Sequence, residues 1–245
     1  MQQYCEIPTP KGVMRGFFHI PQQDKYSVCI IFHGFTGCNT GTKFSYTQLS
    51  RMLEKQGIAT IRMDFLGSGE SDLSFRDMTF DDELSCARLI LEEVIKLPAT
   101  QKIYLLGHSM GGAIASELAK LYPDKIDKMC LWSPAFNLPA AIDYLKGHEH
   151  VAEFYDHNGF EISHQFVEDI ISRDFYQNLD TYQNQLMIIH GTKDTTVPFD
   201  ISKKYLPLFH QPQFYPIKDA THNFDRLEHI QTVIRLTYDF FRNAL

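Results

Sequence analysis

Six consecutive residues, Gly107-His108-Ser109-Met110-Gly111-Gly112, constrain this chain more than any others. They follow a strand-like apolar run at 103–106 and precede a helix expected over 110–121, with Tyr122-Pro123 marking its exit. A serine between glycines at a strand-to-helix turn is the G-x-S-x-G nucleophile elbow. So tight a turn has no room for side chains at its flanks, and it lifts the serine hydroxyl to the end of the strand. The free N–H groups of the following helix favour negative charge beside it. An elbow of this kind needs a sheet with helices packed on its faces.

The rest of the chain supplies one. Short apolar runs recur at 28–32, 59–65, 103–106, 128–132, 186–189 and 214–217. Continuous runs of that length suit strands buried on both faces, as in a parallel sheet covered by helices. Two antiparallel strands, about 4–7 and 13–20, precede them, joined through Pro8, Pro10 and Gly12. Phe80, Leu84, Ala87, Leu91 and Val94 recur at helical spacing, with Thr79 and Asp82 placed for a capping box and Pro98 as the stop. A last helix is expected over about 227–241. The alternation predicts a doubly wound, mostly parallel α/β fold. The 245 residues suit one such domain.

Between Pro134 and Asn184 the rhythm breaks. Asn158-Gly159 lies between short strand-like runs, a hairpin signal, and Phe166, Ile170 and Ile171 suggest an amphipathic helix. Residues 136–184 hold nine aromatics, including Tyr144 and Tyr176. We expect an inserted cap at about 134–184, over the sheet edge where ligands bind in such folds. The plainer alternative is an insertion with a small core of its own.

Composition removes several function classes. The net charge of −7 disfavours nucleic acid and anionic lipid as partners. The longest apolar run, residues 28–32, is far too short to span a membrane. The first residues contain no basic segment followed by an apolar core. Five cysteines form no Cys-x-x-Cys pair, and Cys29 and Cys130 fall in strand-like runs as small buried thiols. A reduced, cytoplasmic protein is expected, without a disulfide framework, metal or cofactor. His148, His150, His157 and His164 have no regular metal-ligand spacing with carboxylates.

A serine hydroxyl needs a base to become a nucleophile, and in this fold the order is Ser, acid, His. Asp194 lies in the loop after the run at 186–189, and His222 in the loop after 214–217. The steps are 85 residues from Ser109 to Asp194 and 28 from Asp194 to His222. Asp200 and Asp219 are rivals for the acid, but one opens a helix and the other sits close to a turn. His33, His108 and His190 flank strand-end glycines and are expected to support loop geometry. An oxyanion needs two N–H donors: Met110 follows the serine, and Phe35 lies in His33-Gly34-Phe35-Thr36-Gly37 after the run at 28–32. The segment 64–72 lacks phosphate-loop spacing and reads as a structural loop, with Asp64 and Asp72 bonding backbone groups.

Together these motifs resemble the α/β-hydrolase superfamily in order across most of the chain. A closer resemblance is to the cinnamoyl (feruloyl) esterases of gut and rumen bacteria, through His33-Gly34-Phe35-Thr36-Gly37, the insertion with its hairpin, and Phe166-Val167-Glu168-Asp169 followed by Tyr176. That resemblance implies a cap holding the aromatic acyl ring, with Tyr176 and Asp143 near its hydroxyls. The activity expected is that of a serine carboxylesterase for small or aromatic acyl esters, with a small-molecule ester as its partner and a homodimer left open. The alternatives are a monoacylglycerol-lipase-like esterase for longer chains and a non-catalytic binding protein on the same fold. Peptidase activity lacks a clear acidic anchor for a substrate amine.

Overall fold

The structure is a computed structural model and describes residues 1–143, 150–151 and 153–243. Tyr144 and His148 lie outside the described residues. The antiparallel pair β1 (Gln2–Thr9) and β2 (Gly12–His19) opens the chain. Next come β3 (Tyr26–Phe32), α1 (Ser45–Glu54), β4 (Ile58–Met63), α2 (Phe80–Lys96), β5 (Thr100–His108), α3 (Met110–Leu121) and β6 (Lys128–Trp132). After the 134–184 segment follow β10 (Gln185–Gly191), α6 (Phe199–Tyr205), β11 (Gln213–Ile217) and α7 (Leu227–Arg242). Eight strands form one sheet in the order β1-β2-β4-β3-β5-β6-β10-β11, parallel from β4 onward.

The continuous apolar runs arise because the sheet is covered on both faces. In β3, Val28, Ile30 and Phe32 enter a core shared with α2 and α3, while Cys29 and Ile31 enter a second core with α1 and α7. Cys29 and Cys130 are fully buried, and all five thiols are free. β1 is longer than the run at 4–7 because Pro8 is accommodated on an edge strand, where its missing N–H breaks no ladder. Thr79 and Asp82 make the expected capping box at the start of α2.

The segment between β6 and β10 contains α4 (Leu138–Asp143), the antiparallel strands β7 (His150–Val151), β8 (Phe154–His157) and β9 (Phe160–Ser163), and α5 (His164–Ile171). Asn158 and Gly159 both have positive φ, as the tight turn between β8 and β9 requires. Its core is continuous with that of the domain. Phe166 packs on Phe35 and Phe75, Phe160 on Phe75, and Phe175 on Phe80.

Within α2, Glu83 is fully buried and its carboxylate has no hydrogen-bond partner among the described residues. Burial, and then neighbouring Asp82, push its pKa up to about 8. The folded chain therefore keeps a proton that the unfolded chain releases near its ordinary value of 4.5. This linkage lowers stability as pH rises from about 4.5 to about 8, and adds nothing further above that. Glu83→Met, which fills the same space without a charge, should raise Tm by roughly 5 °C or more at pH 8. The gain should shrink toward pH 5, and equal gains at both pH values in thermal melts would contradict this account.

Candidate active site

Ser109 occupies the turn from β5 into α3 with φ 56° and ψ −121°, a strained conformation for a residue with a side chain. A Cβ on Gly107 would run into the Gly111 carbonyl, and one on Gly111 into the carbonyls of Phe32 and His33. Both glycines are thus fixed by close backbone approach. Met110 is the first residue of α3, so its N–H belongs to the turn that lacks an intrahelical acceptor.

The loops after three parallel strands bring the expected residues together. His222 Nε2 lies 2.9 Å from Ser109 Oγ, and His222 Nδ1 lies 2.7 Å from Asp194 Oδ2. Asp194 Oδ1 accepts from the Thr196 and Val197 amides at 2.9 and 2.8 Å, and Oδ2 also faces His190 Nε2 at 3.1 Å. Burial alone would raise the Asp194 pKa. Hydrogen bonds from His190 and His222, the charge of His222 and the Val197 amide outweigh it and hold the carboxyl well below the usual range. Asp200 and Asp219 take other partners: Asp200 pairs with Lys203 at 3.0 Å and Asp219 with Lys193 at 2.8 Å.

His108 braces the loop that carries His222. Its Nδ1 lies 3.1 Å from the Tyr46 hydroxyl and its Nε2 lies 3.3 Å from the His222 carbonyl. Burial and then His222 push the His108 imidazole down to about 3, so it stays neutral. A neutral ring accepts from Tyr46 and donates to the carbonyl, which tethers the His222 loop.

The loop after β3 lies against the serine. A Cβ on Gly34 would sit 2.9 Å from Ser109 Cβ. His33 Nε2 accepts from the Phe65 amide at 3.0 Å, so Nδ1 carries the proton and donates to the Gly34 carbonyl at 2.9 Å. The Gly37 amide donates to the same oxygen at 2.9 Å. In a trans peptide the carbonyl and the next N–H point in opposite directions. The Phe35 N–H is therefore turned away from His33 and Gly37. Asp64 braces this loop by accepting from the amide and side chain of Asn39, both at 2.6 Å, and Asp72 accepts from Val13 at 2.9 Å. Both carboxylates thus bond backbone groups. Asn39 gave no sequence signal, because its partner is 25 residues away.

Ser109 opens onto two cavities. One, of about 610 Å³, is lined by His222, Asn223, Thr42, Cys38 and Ser68 among others. The other, of about 500 Å³, is lined chiefly by Ala135, Leu138, Ala141, Ile142, Val197 and Pro198. Phe35 and His157 border both. His157 reaches the cleft because the hairpin turn places the end of β8 against Phe35, with ring centroids 5.6 Å apart. Tyr176 and Asp143 are not brought to the cleft and line neither cavity. The Tyr176 ring stacks on Tyr205 at 4.2 Å beneath Lys204, and Asp143 is exposed at the end of α4. No cluster of three or more His, Cys, Asp or Glu suited to a metal ion occurs among the described residues. No helix among them is long and apolar enough to cross a membrane.

A family model described as Hydrolase_4, serine aminopeptidase S33, matches residues 23–199. The chain belongs to that family. Its fold is the α/β-hydrolase fold. Est1E from Butyrivibrio proteoclasticus, in a solved structure with ferulic acid bound, is similar over 97% of each chain, with a TM-score of 0.89 and 25% identity. The lysophosphatidylserine lipase ABHD12 of Danio rerio is 27% identical over 216 residues, covering 81% of this chain and 53% of the relative. Lipase 1 of Psychrobacter immobilis is 33% identical over 103 residues, covering 42% of this chain and 30% of that protein. The chain thus spans about half or less of the length of these two relatives.

Proposed function

We propose that the chain is a serine carboxylesterase acting on small or aromatic acyl esters, hydroxycinnamates foremost. The observation that carries this reading is the hydrogen-bonded series Ser109–His222–Asp194 at the junction of two cavities. Ser109 Oγ attacks the ester carbonyl while His222 Nε2 takes its proton, and Asp194 holds the imidazole with Nδ1 protonated. The Phe35 and Met110 N–H groups receive the developing oxyanion. His222 then returns the proton to the leaving alcohol, and water attacks the acyl-enzyme with His222 as base.

The alcohol must leave on the side of the group that protonates it. His222 lines only the larger of the two cavities, so that one takes the alcohol and the apolar one takes the acyl group. The 134–184 segment acts as a cap, since α4 and His157 wall the acyl side. Ferulic acid in the similar Est1E structure supports a flat aromatic acyl group. Similarity to lipases favours a second reading, with longer aliphatic chains.

A kinetic panel separates the two. Methyl hydroxycinnamates should exceed long-chain p-nitrophenyl esters in kcat/KM by roughly 10-fold or more. Ala141→Trp, which fills the apolar cavity, should lower kcat/KM for hydroxycinnamates by roughly 10- to 100-fold and spare p-nitrophenyl acetate. A preference that rises with aliphatic chain length would replace the aromatic reading with the lipase-like one. Equal losses on both ester types in the variant would remove the cavity assignment.

A further inference from the structure

We propose that His190 is a positioning residue for this reaction, extending the triad by one imidazole and a serine hydroxyl; the inference rests on the esterase reading above. His190 is the next-to-last residue of β10 and is fully buried. Its Nε2 faces two acceptors, Asp194 Oδ2 at 3.1 Å and the Val197 carbonyl at 2.9 Å. A ring nitrogen between two acceptors must carry the hydrogen. Its Nδ1 faces Ser202 Oγ at 2.7 Å, on α6, and Ser202 is also fully buried. In the neutral ring Nδ1 accepts, so the Ser202 hydroxyl donates and fixes the tautomer.

A single chain of hydrogen bonds therefore runs from Ser202 through His190, Asp194 and His222 to Ser109. Its consequence falls on Asp194. Two amides hold Oδ1, and His190 and His222 share Oδ2. With four donors, the sites of the carboxylate are filled and its plane cannot rotate. The Oδ2 lone pair left by His190 is the one aimed at His222 Nδ1. His190 also draws charge from Oδ2, which moderates how strongly Asp194 stabilises the imidazolium of His222.

The chain also accounts for the spacing of three residues. His190 lies on the sheet and Ser202 on the helix that follows, so the Asp194 loop is gripped from both sides. Two other titratable groups lie near this chain. His108 is neutral at 5.3 Å from the His222 ring, and Asp225 is paired with Lys43 at 2.7 Å.

The test compares His190→Met, which removes the N–H, with His190→Gln, whose amide N–H reaches the place of Nε2. The full-length proteins are assayed on p-nitrophenyl butyrate across pH, with butyrate release measured directly. His190→Met should lose roughly 10-fold in kcat with KM unchanged. Its acid limb should move to higher pH by roughly 0.5 unit, because Oδ2 then concentrates its charge on His222. His190→Gln should recover most of both. A Met variant with the wild-type plateau and limb would overturn the proposal, as would a Gln variant as damaged as Met. If His190→Met does not fold, Ser202→Ala serves in its place, because it frees the tautomer with little loss of volume. It should lose roughly 3-fold in kcat with a limb shift of the same sign, and no change in either would equally overturn the proposal. Wild-type protein that hydrolyses no ester would instead defeat the esterase reading itself.

Discussion

Ser109→Ala should abolish ester turnover by on the order of 10³- to 10⁶-fold while leaving thermal stability nearly unchanged. The hydroxyl is the proposed nucleophile, and the Cβ that stays behind keeps the contact with the Gly34 loop. The backbone strain at φ 56° is also retained, since alanine suffers it as serine does. The variant should still bind substrate, because both cavities are intact. Steady-state kinetics and thermal melts on matched preparations measure the two effects. More than a few per cent of wild-type turnover in the variant would place the nucleophile elsewhere.

Asp194→Asn should lower kcat on the order of 10⁴-fold with a modest change in KM. An amide at this position can present its NH₂ to His222 Nδ1, which favours the wrong tautomer and removes the charge that stabilises the imidazolium. The same substitution perturbs folding. Asp194 is ionised in the folded chain with its pKa depressed, so it contributes stability that is present above the ordinary value of 3.8 and is lost as pH falls toward the folded value. Asp194→Asn should therefore lower Tm at neutral pH, and the gap from wild type should narrow in acid. Asp200→Asn and Asp219→Asn should leave kcat within about 2-fold, since both carboxylates pair with exposed lysines. A larger loss from either would mean the acid has been misassigned.

Much of this arrangement is legible in the sequence because it depends on local chemistry. Ser109 is marked by the glycines its turn requires, and Asp194 and His222 by their places after apolar runs that can only be buried strands. Asp64 and Asp72 read correctly as loop braces for the same reason. α1 was legible in Tyr46, Leu49 and Leu53, all buried at helical spacing. Its start carries no signal, because Lys43 and Phe44, both with positive φ, precede it in place of a capping side chain. Residues of the 134–184 segment follow a different rule. Tyr176 and His157 are alike in sequence terms, each a ring in an aromatic-rich insertion. Which of them faces Ser109 depends on how the hairpin docks on Phe35 and how Tyr205 of α6 receives a ring, and both are long-range packing events. The bonds from His190 to Asp194 and Ser202 are closer in sequence. They need the path of the loop between β10 and α6, which no spacing reveals.

The reactivity of the Ser109 hydroxyl tests the proposed nucleophile most directly. Folded wild-type protein treated with a fluorophosphonate and analysed by peptide mass spectrometry should carry a single adduct on Ser109. Prior unfolding or Asp194→Asn should suppress the labelling strongly. Folded protein that acquires no adduct, or acquires it on a residue other than Ser109, would contradict the central claim.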